Sequence, residues 1–516
     1  MPFSFAQPAQ SLTRPKGFDA LYAHPLPWLL LLAAAHVLIR TISWQALQWD
    51  EAQQILWTQQ LQWGYGAQPP LYTWLQWGVN QLLGPSVPAL ALVKHALIAL
   101  SCVFMWLAAR ALMGQRAAWW TAGSLFLLPA FGWYAISDLT HTILVIAMTC
   151  GAWWLLLRIV RRQGRDCVRE FAALGVVCGC GILAKYSFAL MLAALLLALL
   201  SVPESRRALF GWGWWWTVLI GLILVAPHGW WLLSHWHLAS AGTLRKMEVA
   251  QPDWKMGLLG LLTVTLTTLT LWALVGWAAF GRSWWRRATS GAEPPAWLRP
   301  VFRRYLALIF LALLVLIFAA GVTSFKDRWM APLLAPVPLM AFALRPELEA
   351  HPRGNRFTGI TLALVALMLI GAAAQPWFAF VDGKAHPFNY PGAQLAQALR
   401  QAGYDGQGRI IAADPLLAGL LRMRFPTAQS AGCRQRDVGD VAGCVAENVQ
   451  QAERAGQGWL IISRDDCIED GWWPKALAHI AGSENLPRGN LRIPYRAVPQ
   501  RLPPASYDFV WSPKQP

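Results

Sequence analysis

Long apolar runs separated by short charged loops constrain this chain more than any other feature of its sequence. Charged residues make up only 13% of the 516 residues, about half of the usual share of about 25%, which is too few to coat several soluble domains. Helices that cross a bilayer need about 20 apolar residues, and eleven stretches reach or approach that length: 27–44, 87–109, 117–134, 139–157, 170–184, 187–202, 212–233, 257–280, 305–322, 329–344 and 357–376. The sequence therefore predicts an all-α polytopic membrane protein with about eleven transmembrane helices.

The net charge of +17 belongs to loops rather than to one basic patch, so membrane lipids, and no nucleic acid, are the expected surroundings. Lys and Arg are enriched in cytoplasmic loops of membrane proteins. With the N-terminal tail 1–26 in the cytoplasm, the cytoplasmic segments hold twenty Lys and Arg residues and the opposite loops hold six. An odd number of spans then places the C-terminal segment 377–516 outside the cytoplasm.

The predicted domain organisation is a membrane module over 27–376 followed by a water-soluble domain over 377–516. In the first outer loop, 45–86, amphipathic helices are predicted from Ala52 to Trp63 and over Leu71–Leu83. The C-terminal segment alternates strand-like runs, Arg409–Ala413 and Gly458–Ser463, with helical ones such as Gly392–Ala402, which is typical of a small α/β domain. Outside the cytoplasm a disulfide is permitted, and we expect Cys433–Cys444, with Cys467 left over.

Acidic residues are scarce near the membrane, and three of them lie on the predicted outer face. Asp50 and Glu51 follow the first span, and Asp138 follows the third. Asp50 could cap the first interfacial helix, and Asp138 could cap the fourth span, because carboxylates stabilise helix N-termini. Two carboxylates on one surface could instead act as a general base and its partner, or bind a divalent cation.

Basic residues on the same face are also few. Lys185 interrupts an apolar run, where it divides 170–202 into two short helices or a re-entrant pair, and an ionisable residue at membrane depth is by default a functional hypothesis. Lys326 and Arg328 fill a short loop, where snorkelling to the interface is the alternative. Acids that accept a proton and cations that hold a phosphate suit a lipid-phosphate donor, since the chain has no P-loop or Rossmann glycine pattern. His235 and His237 stand two apart on a helix and point to different faces, which disfavours a metal site.

The first outer loop resembles that of the GT-C superfamily of membrane glycosyltransferases, in the branch of the dolichyl-phosphate-mannose protein mannosyltransferases. That branch includes bacterial aminoarabinose and galacturonosyl transferases. The resemblance rests on Asp50-Glu51-Ala52, Gly64-Tyr65 and Gln68-Pro69-Pro70-Leu71 with Trp74, and it extends to Asp138 and to Lys185-Tyr186-Ser187. Gln68 departs from the family pattern, which has His or Lys there. The similarity covers about residues 27–345.

The resemblance implies an inverting transfer of a sugar from a polyprenyl-phosphate donor to lipid A, another glycan or a protein, at the periplasmic face of a bacterial inner membrane. Asp50 would be the catalytic base, and Glu51 and Asp138 would orient the acceptor or a divalent cation. The donor phosphate would be held by four residues: Lys185, Tyr186, Lys326 and Arg328. The family implies no nucleotide.

Two other functions remain open from the residues alone. A transporter or flippase of a lipid-linked sugar would carry ionisable residues in mid-span and often an internal repeat of helices. Here the charges collect at one face and no repeat is visible, which favours an enzyme. A polymerase or ligase of surface glycans would share the same donor chemistry.

Overall fold

A computed structural model describes residues 18–136, 138–237, 253–285, 293–383, 385–465, 471–480, 485–497 and 500–513. Cys467 and six of the charges used for the predicted orientation lie outside these ranges: Arg14, Lys16, Arg245, Lys246, Arg286 and Arg287.

The α-helices up to residue 382, in chain order, are α1 Phe18–Ala23, α2 Pro25–Ser43, α3 Trp49–Trp57, α4 Leu71–Leu83, α5 Val87–Arg110, α6 Gln115–Gly123, α7 Pro129–Gly132, α8 Thr140–Arg161, α9 Val168–Ala184, α10 Ser187–Leu200, α11 Pro203–Leu209, α12 Gly213–Ser234, α13 Trp254–Phe280, α14 Leu298–Ala320, α15 Asp327–Leu334, α16 Val337–Ala343, α17 Gly354–Ala374 and α18 Ala379–Asp382. The C-terminal part contains α19 Gly392–Gln401, β1 Arg409–Ala412, α20 Pro415–Arg424, β2 Gln429–Gly432, α21 Gln435–Val438, α22 Val441–Arg454, β3 Trp459–Arg464, α23 Trp472–Leu477, β4 Arg488–Ile493 and β5 Ala505–Ser512.

The structure confirms a polytopic, mainly helical membrane protein. Within the described ranges, seven helices are long and apolar enough to cross a membrane, or eight if the bent pair α10–α11 counts as one span. The other predicted spans are shorter or broken: 117–134 is α6 followed by short turns and α7, and 329–344 is α15 followed by α16. Lys185 and Tyr186 separate α9 from α10, as predicted from the sequence.

Helix α8 forms the centre of the bundle. In the most apolar 18-residue stretch of α8, 89% of the residues are buried, against 11% in α2 and in α12 at the periphery. The large apolar side chains of α2 and α12 point outwards, where lipid would cover them. The residues at the start of α8, from Asp138 to His141, therefore lie at the mouth of the bundle core. That position brings them close to the first loop.

The C-terminal part is an α/β layer around a five-stranded sheet of order β2-β1-β3-β5-β4. Strands β2, β1 and β3 are parallel, with Arg409 opposite Gln429 and Trp459, while β5 runs antiparallel to β3 and β4. Successive side chains of a strand point to opposite faces. Ile410 accordingly joins the core beneath α19 and α20, and Ile411 joins the core beneath α22 and α23.

The α/β layer sits directly on the first loop. Gly419 of α20 packs so closely on α3 that a Cβ there would lie 3.1 Å from the Cα of Ala52, and Leu47, Ile55, Leu416 and Met423 complete a small apolar cluster. In addition, the Gln59 side chain pairs with the edge strand β2: its Nε2 donates to the Ser430 carbonyl (2.8 Å) and its Oε1 accepts from the Ser430 amide (2.7 Å). Helix α3 is thus held between the membrane bundle and the C-terminal layer.

Two elements of the first loop test the predicted boundaries. Helix α4 covers Leu71–Leu83, as predicted. The first interfacial helix runs over Trp49–Trp57 instead of Ala52–Trp63. At its C-terminal end the Thr58 hydroxyl donates to the Gln54 carbonyl (2.7 Å). The predicted disulfide Cys433–Cys444 is present.

Candidate active site

Glu51 lies at the centre of a buried ion network. Its carboxylate is within 2.6 Å of Arg40 Nη2 and 2.9 Å of Lys94 Nζ, and it also accepts from the backbone amide of Gln48 (3.1 Å). Burial alone would raise the pKa of the Glu51 carboxyl, but the charges of Arg40 and Lys94 and the hydrogen bonds from both outweigh it, so the pKa lies below its ordinary value. Glu51 is therefore ionised and committed to protein contacts.

The same network fixes the start of α3. Gln48 and Glu51 form a reciprocal capping box, and Arg40 also donates to the carbonyls of Trp44 (2.5 Å) and Ala46 (2.9 Å). This geometry corrects the capping interpretation of Asp50, because Gln48 is the N-cap and Asp50 is the second residue of the helix. The conformation around Asp50 is thus set by its neighbours.

Asp138 is the partner that the structure brings to Asp50. The Asp50 backbone amide donates to Asp138 Oδ1 at 3.2 Å, so Asp138 satisfies a free amide at the N-terminus of α3. It does not cap its own helix, α8, whose N-cap Leu139 makes no side-chain cap. Desolvation, together with the nearby negative charge of Asp50, raises the pKa of Asp138 to about 7.

The Asp50 carboxylate itself accepts no hydrogen bond and joins no ion pair within the described parts of the chain. Its side chain is partly exposed. An ionisable carboxylate that is held by its backbone yet left open at its oxygens has the properties of a general base, which must reach the proton that it removes.

His141 connects the acidic helix to the Lys185 turn. Its Nδ1 lies 3.3 Å from the Ala184 carbonyl and its Nε2 lies 3.2 Å from Gln54 Nε2. The carbonyl can only accept and the amide can only donate, so the ring is neutral with its proton on Nδ1. Gln54 is one turn beyond Asp50, and Ala184 immediately precedes Lys185. Residues distant in sequence therefore converge beside one histidine.

The three cations predicted to hold the donor phosphate lie in two neighbouring segments, the Lys185 turn and the loop that contains Lys326 and Arg328. Lys185 Nζ donates to Thr142 Oγ1 (3.1 Å) and to the Arg328 carbonyl (3.3 Å), which ties the Lys185 turn to the loop containing Lys326 and Arg328. Lys326 is exposed. Partial desolvation and the positive charges of Arg328 and Arg436 lower the pKa of Lys326. Lys326, Arg328 and Arg436 are therefore near one another, and an anion placed among them would relieve their repulsion.

Tyr186 takes part in a chain of hydrogen bonds that reaches the first loop. Its hydroxyl is 2.9 Å from His228 Nε2, and His228 Nδ1 is 2.8 Å from the Trp63 carbonyl. His228 therefore donates to Trp63 and accepts from Tyr186. In the structure Tyr186 positions the loop around Trp63, and its predicted contact with a donor phosphate stays a prediction.

Among the described residues no group of three or more His, Cys, Asp or Glu side chains is placed to hold a metal ion. Glu51 is occupied by Arg40 and Lys94, which leaves Asp50 and Asp138 as the only carboxylates of the predicted set free to meet a cation. A divalent cation would have to complete its shell of six or more oxygens largely from substrate and water.

Sequence reasoning missed two residues that organise the site, Arg40 and Lys94. Both lie in predicted spans, at 27–44 and 87–109, and both are fully buried. The signal was present, because a charged residue inside an apolar run needs a buried partner. What the sequence lacked was the identity of that partner, since Glu51 lies 43 residues before Lys94.

Comparison with known proteins decides the family. The dolichyl-phosphate-mannose-protein mannosyltransferase family matches residues 67–231. The lipopolysaccharide core galacturonosyltransferase RgtB of Rhizobium johnstonii is 32% identical over 417 residues, which cover 78% of this chain and 82% of that protein. Its paralogue RgtA is 32% identical over 410 residues, covering 77% and 80%. The chain belongs to the family of these galacturonosyltransferases.

The fold of this chain is that of GT-C enzymes. It matches ArnT from Cupriavidus metallidurans bound to undecaprenyl phosphate with a TM-score of 0.59 and 13% identity, over 94% of this chain and 98% of ArnT. Apo ArnT gives a TM-score of 0.55 at 14% identity. These matches show the fold, and membership of the galacturonosyltransferase family makes the chain a membrane glycosyltransferase, which decides against the transporter alternative. The resemblance drawn from the first loop is confirmed.

Proposed function

We propose that the chain transfers a sugar from a polyprenyl-phosphate donor to a lipid or glycan acceptor of the lipopolysaccharide type, with inversion, at the periplasmic face of the inner membrane. The relatives that support this acceptor are named for transfer to the lipopolysaccharide core, and the structure with the same fold contains undecaprenyl phosphate. Protein is the less favoured acceptor on the same comparison.

One observation carries the proposal: the open carboxylate of Asp50 and the turn at Lys185 meet through His141. The Gln54–His141–Ala184 contacts link the helix of Asp50 to that turn. A base and a cation on elements that are linked in this way can act on opposite ends of the same displacement. We assign Asp50 to the base and Lys185, Lys326 and Arg328 to the phosphate.

The reaction then follows from charge. Asp50 takes the proton of an acceptor hydroxyl as its oxygen bonds to the anomeric carbon of the donor sugar. The bond between that carbon and the phosphate oxygen breaks, and polyprenyl phosphate departs with the electron pair. Preorganised cations stabilise the negative charge that develops on the leaving phosphate. Attack opposite the leaving group inverts the anomeric configuration.

Glu51 and Asp138 take supporting parts in this proposal. Glu51 anchors the N-terminus of α3 through Arg40 and Lys94 and so positions Asp50 without touching substrate. Asp138 accepts the Asp50 amide and keeps the backbone of Asp50 at the mouth of the bundle. Both are positioning residues.

The test is transfer from a polyprenyl-phosphate sugar to lipopolysaccharide by membranes that carry Asp50→Asn. Asparagine preserves the size of the side chain but takes no proton, and general base catalysis contributes about 10²–10⁴-fold, so transfer should fall by about that factor. Asp405→Asn, on an exposed turn of the C-terminal layer, is the matched control and should transfer like the unmodified chain. An Asp50→Asn protein that transfers normally would overturn the assignment of the base.

A further inference from the structure

A polar cavity lies between the first loop, the end of α12 and the C-terminal layer. Its volume is about 640 Å³, within the range of about 300–1,000 Å³ that ligand pockets occupy. We call it the interface cleft. The side chains that matter for its chemistry are Trp57, Tyr65, Trp231, Gln62, Arg409 and Gln451.

The lining of the interface cleft has the chemistry of a carbohydrate site. Three aromatic side chains offer flat apolar surfaces with polar edges, and amide groups beside them can donate and accept hydrogen bonds at once. Arg409 adds a guanidinium, which binds carboxylate or phosphate in a bidentate manner. No Asp or Glu is among the described residues that line the cleft; the nearest carboxylate that they contact, Glu447, lies behind Gln451 and accepts a hydrogen bond from its Nε2 (3.0 Å).

The aromatic wall is built before any ligand binds. Trp231 stacks between His228 and His235, with ring centroids at 5.7 Å and 4.7 Å, and its ring lies against Gly64, where any Cβ would collide with it. Trp57 stacks on Tyr65 with centroids at 6.0 Å. Rings held in this way lose little entropy when a sugar packs on them.

Arg409 is likewise held in place. Its guanidinium donates to Asn448 Oδ1 (2.7 Å) and to Gln429 Oε1, and Arg409 is half-buried at the start of β1. Both hydrogen-bond partners are neutral, and the nearby Glu447 carboxylate offsets the positive charge of Arg409 only in part, because it forms no ion pair with Arg409 among the described residues. The cleft therefore presents one oriented positive charge.

The interface cleft adjoins the candidate active site through Trp57 but is displaced from it. Trp57 follows Asp50 by seven residues on the same face of α3, since seven residues are about two helical turns and span about 10 Å. Trp57 also contacts His141 (6.3 Å between ring centroids). A molecule in the cleft therefore sits beside the reacting centre without occupying it.

We propose that the interface cleft binds the non-reacting, acidic oligosaccharide portion of the acceptor. This proposal rests on the proposed function and names the part of the acceptor that this chain selects. The donor must keep its lipid tail in the bilayer, whereas one wall of the cleft is formed by Arg409, Gln429, Ser430 and Gln451 of the C-terminal layer, and its lining is mainly polar. A contact with a part of the substrate that does not react, made equally in the ground state and the transition state, lowers KM and leaves kcat unchanged.

The first test is binding of the delipidated, acidic core oligosaccharide of lipopolysaccharide to the full-length protein in detergent, with the carboxyl-reduced oligosaccharide as the comparison probe. Arg409→Gln should weaken binding of the acidic probe by about tenfold, which is what the loss of one charged hydrogen bond costs. Gln429→Glu should do the same, because its carboxylate would keep the contact with Arg409 and cancel its charge. Arg492→Gln, on the far edge strand β4, is the matched control and should bind normally.

The result that would overturn the cleft is equal binding of the acidic and carboxyl-reduced probes, or an Arg409→Gln protein that binds like the unmodified chain. A kinetic measurement separates this failure from failure of the proposed function. In transfer assays Arg409→Gln should raise the KM for the complete acceptor and leave kcat unchanged. Tight, Arg409-dependent binding by a chain that transfers no sugar would refute the proposed function and support the cleft as an oligosaccharide site. Sugar transfer by Arg409→Gln with an unchanged acceptor KM would support the proposed function and refute the role of the cleft.

Discussion

The substitution Glu51→Gln separates the two roles that a buried acid beside an active site can have. Glu51 is fully buried and balances two cations, with its oxygens 2.6 Å from Arg40 and 2.9 Å from Lys94. Glutamine has the same shape but no charge, and its amide N–H groups would point at the N–H donors of Arg40 or Lys94. Removal of one partner from a buried ion network costs about 3–5 kcal/mol. We expect Glu51→Gln to be destabilised by about that amount.

The assay is thermal unfolding of the purified protein in detergent, with transfer activity measured on the fraction that remains folded. Glu204→Gln is the matched control, since Glu204 is exposed near the start of α11 and such substitutions usually stay within about 0.5 kcal/mol. The double variant Glu51→Gln, Lys94→Met removes one of the unpaired cations. It should recover part of the loss, because side chains that share a network couple by about 0.5–3 kcal/mol.

The pH dependence gives an independent check. Arg40 and Lys94 lower the pKa of Glu51 in the folded protein despite its burial, so its stabilising contribution is present above its ordinary pKa and is lost as pH falls through the lowered one. Glu51→Gln should abolish that part of the acid sensitivity. A Glu51→Gln protein as stable as the unmodified chain but without transfer activity would refute this reasoning and assign Glu51 a chemical role.

Three further outcomes follow from the structure. The raised pKa of Asp138, about 7, means that the folded chain holds a proton there which the unfolded chain releases near pH 4, so stability should fall as pH rises between these values, by at most about 4 kcal/mol. Asp138→Asn, which can still accept the Asp50 amide, should make the thermal midpoint less dependent on pH over this range. An unchanged pH profile of the midpoint would contradict the shift. Gln59→Leu should loosen the C-terminal layer, because it removes both hydrogen bonds to Ser430, and limited proteolysis should show faster cleavage than in the exposed control Gln60→Leu. Cys433→Ser with Cys444→Ser should lower stability by about 2–4 kcal/mol, since the bridge closes a loop of 11 residues; a midpoint equal to that of the intact chain would show that the bridge is dispensable.

Much of the architecture was accessible from the sequence because apolar runs and loop charges report directly on the bilayer. The strands at Arg409–Ala412 and Trp459–Arg464 and helix α19 lie within a residue or two of their predicted positions. Boundaries inside the bundle were harder to predict. The segment 329–344 is apolar enough for a span, yet it folds as two short helices buried against neighbouring ones, and hydropathy does not distinguish protein from lipid as the apolar surrounding.

The chemical residues divide in the same way. Asp50, Asp138 and Lys185 could be singled out because charge is rare at a membrane surface, and their motif indicated the family. The sequence could not show that Glu51 would be paired with Arg40 and Lys94. Nor could it show that His141 would link the helix of Asp50 to the turn at Lys185. Only tertiary packing decides which of two adjacent carboxylates is neutralised inside and which is left open, because an ion pair across 43 residues depends on how two helices meet rather than on either helix alone.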